Sequence, residues 1–142
     1  VQKVRQQCDV LIFSLHWNSN WVDEIEPNYK AFAHELIDQG VDIIHGHSPH
    51  HLLPIEFYKG GIIFYSLGDL IDDYAVDRTY RNDLACLAKI SISKNAQNRV
   101  SIKLLGVYPT QIENLEVNLA GSKGNILFIR EKIHNPHIKI YK

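Results

Sequence analysis

Methionine is absent from this sequence of 142 residues, and cysteine is scarce. Because the sequence holds no start methionine, we expect it to be a piece of a longer protein. Its two cysteines, Cys8 and Cys86, are too few for a disulfide framework and too widely spaced in sequence for a cysteine metal motif. No long hydrophobic run is present, which excludes a membrane-spanning helix in this chain. A net charge of −1 argues against a nucleic-acid-binding protein.

The composition that remains is that of a globular domain. Hydrophobic residues make up 45% and charged residues 22% of the chain, which are ordinary proportions for a folded protein. The length suits a single domain over residues 1–142. Residues 9–15 and 41–44 are short apolar runs typical of buried strands, and between them apolar residues recur at helical spacing from Pro27 to Gly40. This arrangement predicts a βαβ unit with two parallel strands.

Later segments favour antiparallel hairpins. Residues 54–58 and 62–66 flank Lys59-Gly60-Gly61, which is typical of a hairpin turn. Residues 84–93 and 99–107 alternate well enough to form a second hairpin. A helix over 126–133 and a final strand over 138–141 complete the prediction. The sequence therefore predicts an α/β fold in which a βαβ unit is followed by antiparallel hairpins.

Histidine is the most informative residue type in the chain. Four of the eight histidines lie in His45-Gly46-His47-Ser48-Pro49-His50-His51, directly after the second predicted strand, and His16 follows the first. The carboxyl ends of parallel strands meet at one edge of a sheet, where ligands of α/β proteins bind. Neutral imidazole is a common ligand of zinc, iron and similar ions. We therefore expect a metal site at this edge, and solvated positions for His34, His134 and His137.

Carboxylates are missing from the predicted strand ends of the βαβ unit. The nearest candidates are Asp69, Asp72 and Asp73, in an acidic loop after the first hairpin. A solvated turn is one interpretation of this loop. In the other, Asp69 faces the histidines and orients a ring nitrogen of one of them from behind.

Three motifs resemble the CapA family of poly-gamma-glutamate capsule synthesis proteins. They are Ser14-Leu15-His16-Trp17, Gly46-His47-Ser48-Pro49-His50 and Phe64-Tyr65-Ser66-Leu67-Gly68-Asp69, in the order and at the spacing of that family. The resemblance covers roughly residues 5–115. The resemblance implies that the chain belongs to a branch of the calcineurin-like metallophosphoesterases. Its fold would then be part of a four-layer α/β/β/α sandwich with two metals at the strand ends. It also implies that this chain is the C-terminal half of the domain, with the N-terminal half absent.

Residue by residue, the resemblance implies a metal site made of His16, His47 and His50. The spacing to the second histidine of the Gly46 block is one residue longer than the usual pattern, so either His50 or His51 points inward. His16 and His50 are the implied catalytic residues, which would steady charge on a leaving oxygen. Asp69 would not bind the metal itself but would orient a ring nitrogen of a ligand. The implied cofactor is a divalent ion, namely manganese, zinc or iron.

Three functions are considered. The first is a metal-dependent phosphoesterase-like hydrolase in capsule synthesis, which acts on a phosphorylated substrate once the domain is complete; the fragment alone would be inactive. The second is a non-catalytic scaffold that assembles or binds an envelope polymer. The third is a plain metal-binding or structural domain, which is inactive because half of the site is absent. The family suggests the cell envelope as the location. The missing half of the domain or another copy of the chain is the expected protein partner, because a parallel sheet cut midway exposes an unpaired edge.

Overall fold

The computed structural model describes residues 1–141, which form two β-sheets and three helices. Along the chain the elements are α1 (Gln2–Arg5), β1 (Ile12–His16), α2 (Pro27–Asp38), β2 (Ile43–His47), β3 (Ile55–Tyr58), β4 (Gly61–Phe64), β5 (Leu84–Lys94), β6 (Val100–Glu113), β7 (Glu116–Leu119) and α3 (Lys123–Lys132). The predicted α/β class is confirmed. None of the helices in this described part of the chain is long and apolar enough to cross a membrane.

The first sheet contains the predicted βαβ unit. Its strand order is β1-β2-β4-β3, in which β1, β2 and β4 are parallel and β3 pairs antiparallel with β4. Helix α2 begins with Pro27 in its first turn, where the missing N–H costs nothing, and is followed by Gly40 at φ +101°. The β3–β4 hairpin turns through Lys59 and Gly60, which both have positive φ.

The second sheet is the antiparallel meander β5-β6-β7. It confirms the second predicted hairpin, although β6 extends beyond residue 107 to Glu113. The predicted strand at 138–141 is reduced to one isolated bridge between Val107 and Ile140. Strand β7 and helix α1 were not expected from the sequence, since each is only four residues long. The predicted helix at 126–133 is confirmed as α3, which starts earlier because the Ser122 side chain accepts from the Asn125 N–H.

Two hydrophobic cores lie on opposite faces of the first sheet. Successive residues of β2 and β4 alternate between them, as the two-residue period of a strand requires. Ile44 and Ile63 face α2, whereas Ile43 and Ile62 face the second sheet and α3. The described chain therefore stacks a helix on a mixed sheet and that sheet on an antiparallel one, and its site-bearing loops emerge at the carboxyl ends of β1 and β2.

Candidate functional site

The carboxyl ends of β1 and β2 bring three histidines to one face of the sheet. Strand β2 runs through His45 and His47, so the prediction that it ends at residue 44 is wrong. The extension arises because β1 pairs with β2 along its whole length, with His16 opposite His47. The His16 and His47 ring centroids are 5.4 Å apart, and those of His45 and His47 are 5.6 Å apart. The expected convergence of His16 and His47 is thus present in the geometry.

His45 and His47 differ in their surroundings. The His45 Nδ1 lies 3.2 Å from the Ser14 hydroxyl, and burial, together with the neighbouring His47, lowers the pKa of His45. The His47 Nδ1 lies 3.5 Å from the His45 carbonyl oxygen. An N–H on His47 Nδ1 would point at that carbonyl, which leaves Nε2 as the free ligand atom.

Gly46 allows an aromatic support to pack beneath this face. The Trp17 indole N–H donates to the Tyr65 carbonyl oxygen at 3.0 Å, and the two rings stack with centroids 5.3 Å apart. A Cβ on Gly46 would lie 2.3 Å from Trp17 Nε1. The absence of a side chain at Gly46 therefore permits the contact that holds the ends of β1, β2 and β4 together.

Asn18 is a polar residue at this edge that sequence reasoning did not select. It adopts φ +63°, a conformation that Asn and Gly tolerate better than other residues. Both its side-chain oxygen and nitrogen are shielded from solvent without a hydrogen bond to any described residue. Buried polar atoms usually have partners, so this amide is free to bond a polar group that binds next to it. The signal in the sequence was the position of Asn18 two residues after His16.

His50 occupies the loop beyond β2 and faces Asp69. The His50 Nδ1 lies 2.7 Å from Asp69 Oδ2, and both side chains are largely buried. The His50 ring contacts the Trp21 ring, with centroids 5.6 Å apart, and the Tyr74 ring, which meets it edge-on at 5.0 Å. Asp69 therefore stands where it can orient His50 from behind, and the imidazole has its Nε2 free.

His51 points into the protein interior and is only 1% exposed. Its Nε2 accepts from the Val22 N–H at 3.3 Å, and its Nδ1 lies 3.2 Å from the Leu52 carbonyl oxygen. Burial lowers the pKa of His51, and the nearby Lys132 acts in the same direction. Since both ring nitrogens are used by the backbone, His51 holds loops together and offers no ligand atom.

The loops that carry His50 and Asp69 are tied to each other by Ser66. The buried Ser66 hydroxyl donates to the Pro49 carbonyl oxygen at 2.9 Å and accepts from the Gly68 N–H at 3.1 Å. Gly68 itself has φ +77° and little room for a side chain against Ala85. These contacts fix the position of Asp69 relative to His50.

The structure does not gather all three expected ligands around one point. Among the described residues, one set of three His, Cys, Asp or Glu side chains has ligand atoms within 4.8 Å of one another, and it consists of His50, Asp69 and Asp72. His16 and His47 form a separate pair. The candidate site therefore has two parts, which we call the strand pair (His16 and His47) and the loop cluster (His50, Asp69 and Asp72).

The remaining histidines lie outside both parts. His134 and His137 are exposed, as expected. The expectation that His34 is solvated is wrong, because its Nε2 lies 2.7 Å from Glu56 Oε1 and its ring stacks on Tyr58 with centroids 3.7 Å apart. Both partner residues, Glu56 and Tyr58, lie on β3, which packs beside α2. The spacing of residues within α2 could not predict contacts with a separate strand.

Comparison with known proteins gives a consistent family. The sequence-family model of the bacterial capsule synthesis protein PGA_cap matches residues 1–74 of this chain. A probable polyglutamine synthesis accessory protein of Mycobacterium tuberculosis is 38% identical over 115 residues, which cover 79% of this chain and 30% of that protein. The PGA biosynthesis protein CapA of Bacillus subtilis is 32% identical over 76% of the chain and 28% of its own length. The capsule biosynthesis protein CapA of Bacillus anthracis is 41% identical over 51% of the chain and 18% of its own length. The chain thus spans less than a third of these relatives.

Proposed function

This chain belongs to the bacterial capsule synthesis protein family, and from that premise we propose that it forms part of a metal-dependent, phosphoesterase-like hydrolase that serves poly-gamma-glutamate synthesis at the cell envelope. The observation that carries the proposal is the strand pair, in which two imidazoles lie 5.4 Å apart at the carboxyl ends of adjacent parallel strands. The rest of the domain, which is expected on the preceding part of a longer chain, is its proposed partner.

The strand pair fits a divalent ion such as manganese, zinc or iron. Its donors are imidazoles, which suit these metals, and the His47 Nδ1 contact with a carbonyl leaves Nε2 free. The shielded amide of Asn18, two residues after His16 in the sequence, has no hydrogen-bond partner among the described residues and could bond a polar ligand. When bound, such an ion polarises a phosphoryl oxygen and activates a water molecule.

The histidines and Asp69 would have different roles in binding the ion and stabilising the reacting group. His16 and His47 would hold the ion, and His50 is the proposed third ligand. Asp69, at 2.7 Å from His50 Nδ1, would keep the opposite nitrogen, Nε2, directed at the ion. His16 and His50 would steady the negative charge on the leaving oxygen electrostatically, from their places beside the ion.

A non-catalytic scaffold for the envelope polymer is the second candidate. Among the described residues, no carboxylate joins His16 and His47 in a set of three ligands, although a bridging carboxylate is usual in a two-metal hydrolase. The Mycobacterium tuberculosis relatives also carry the name of accessory proteins. In this role the site would bind metal or polymer without turnover.

The test is hydrolysis of bis(p-nitrophenyl) phosphate with added Mn²⁺, by the longer protein that contains this chain and by the 142-residue chain alone. We expect turnover by the longer protein and none by the chain alone. His47→Ala should lower turnover at least 100-fold, whereas His137→Ala, in the exposed tail, should leave it unchanged. Metal binding without turnover in the longer protein would favour the scaffold.

A further inference from the structure

We propose that the outer face of the second sheet binds an acidic polymer, a chain of repeated carboxylates such as polyglutamate, through Lys89, Lys103 and Lys139. Lys89 lies on β5, Lys103 lies on β6, and Lys139 lies on the segment that bonds to the free edge of β6. Their chain neighbours on the core side are Ala88, Leu104 and Ile140. Successive side chains of a strand point to opposite faces, so the lysines project away from the core, and all three are exposed. We call this surface the basic face.

Charge is distributed unevenly along the chain, although its net charge is only −1. Residues 84–112, which form β5 and most of β6, contain four basic residues and no aspartate or glutamate, whereas residues 1–83 contain thirteen acidic and six basic residues. Lys94 is paired with Asp9 at 2.8 Å. The lysines of the basic face form no ion pair with any described residue. Charge of one sign that is not compensated on one surface attracts a polyanion.

Two tyrosines hold the lysines of the basic face in position. The Tyr108 and Tyr141 rings stack with centroids 4.5 Å apart, and the Tyr141 hydroxyl donates to the Leu105 carbonyl oxygen at 3.3 Å. Lys139 Nζ lies 4.5 Å and Lys89 Nζ 5.6 Å from the centroid of the Tyr141 ring. A cation–π contact orients an ammonium group without neutralising its charge. The two ammonium groups therefore remain able to donate to carboxylates from defined positions beside one ring.

The other side chains of the basic face suit a polymer of carboxylates better than a lipid surface. Ser91 lies opposite Lys103 in the β5–β6 pair, so a hydroxyl donor stands beside that ammonium group. Leu87 is 46% exposed opposite Tyr108 and can cover the methylene groups of a glutamate side chain. The stacked tyrosines are half-buried against each other, which leaves no free aromatic ring to insert among lipid chains. Several weak carboxylate contacts on one polymer reinforce each other, because each bound residue keeps the next one close.

The choice of polyglutamate rests on the proposed role in poly-gamma-glutamate synthesis. The basic face itself shares no residue with the strand pair or the loop cluster. Binding of the polymer can therefore be measured without turnover and without added metal, and it tests the basic face separately from the proposed hydrolase.

The experiment is fluorescence anisotropy of labelled poly-gamma-glutamate, titrated at low ionic strength with the longer protein that contains this chain. Low ionic strength limits the screening of exposed charges. We expect Lys89→Gln combined with Lys139→Gln to weaken binding at least tenfold. The matched control combines Lys3→Gln with Lys123→Gln, which removes the same charge at two exposed lysines outside the basic face and should change the affinity less than twofold. Circular dichroism checks that both double variants are folded.

The outcomes distinguish a specific surface from general charge attraction. Selective weakening by the Lys89 and Lys139 pair supports the basic face, even in a protein that hydrolyses no phosphodiester. Equal weakening by the Lys3 and Lys123 pair overturns it, because binding would then follow net charge alone, and so does a parent protein that does not bind the polymer.

A second arm measures sedimentation of the same proteins with vesicles of phosphatidylglycerol and phosphatidylcholine. We expect no vesicle binding that depends on Lys89 and Lys139. Vesicle binding that is lost in this double variant, while its polymer binding is unchanged, would assign the basic face to an anionic membrane surface and overturn the proposal.

Discussion

Replacement of Gly46 by alanine should test how the strand pair is built. The added Cβ would lie 2.3 Å from Trp17 Nε1 and 2.6 Å from the Tyr65 carbonyl oxygen, and neither distance is tolerable. Relief requires the Trp17 indole to move and its 3.0 Å hydrogen bond to Tyr65 to break. Because Trp17 is only 4% exposed, neither partner regains water without further rearrangement.

The substitution Gly46→Ala adds one methyl group, but its expected cost in the free energy of unfolding is large. Overpacking of a well-filled core costs about 1–3 kcal/mol, and leaving a buried hydrogen-bonding group unpaired costs about 1–3 kcal/mol more. We therefore expect Gly46→Ala to lower the free energy of unfolding by about 2–6 kcal/mol, a substantial part of the roughly 5–15 kcal/mol typical of a domain. Since Gly46 lies between His45 and His47, the movement should also disturb the strand pair and weaken its metal binding.

Urea denaturation followed by tryptophan fluorescence measures this effect, because Trp17 is one of two tryptophans in the chain. The matched control is Gly121→Ala, where an added Cβ meets no atom within 4 Å; it should stay within about 0.5 kcal/mol of the parent chain. A Gly46→Ala variant as stable as the Gly121→Ala control would refute the argument that the bare backbone of β2 makes room for Trp17.

Two further perturbations address the loops and the sheet edge. Because the pKa of buried His51 is lowered, the unfolded chain binds a proton at this residue more readily than the folded chain. The free energy of unfolding should therefore fall as the pH drops below about 6.5. The expected slope is up to about 1.4 kcal/mol per pH unit, until the folded-state pKa is reached. His51→Gln, which cannot take up that proton, should flatten the dependence of stability on pH in urea melts at pH 5–7. If the slope were unchanged in this variant, the pH dependence would come from other groups. At the edge strand β1, Ile12 is 54% exposed, and we expect the chain to self-associate at high concentration through this edge. Ile12→Lys should reduce that association in sedimentation velocity, and a parent chain that stays monomeric would contradict the expectation.

Local patterns in the sequence determined much of the fold. The apolar runs, the helical spacing after Pro27 and the turn at Gly60 act between residues close in sequence, and they correctly predicted the βαβ unit and both hairpins. They also placed His16 and His47 at neighbouring strand ends, since parallel strands share the direction of their carboxyl ends.

Only the tertiary structure decided which side chains meet. Strand β2 extends through His47 because β1 pairs with it, and His34 is only partly exposed because its ring bonds Glu56 of β3. Asp72 joins His50 across 22 positions of the chain. Such contacts depend on how separate elements pack, and no spacing within one segment carries that information. The residue types in the chain therefore suggested metal chemistry as a hypothesis, whereas the division of the candidate ligands into a strand pair and a loop cluster arose from packing.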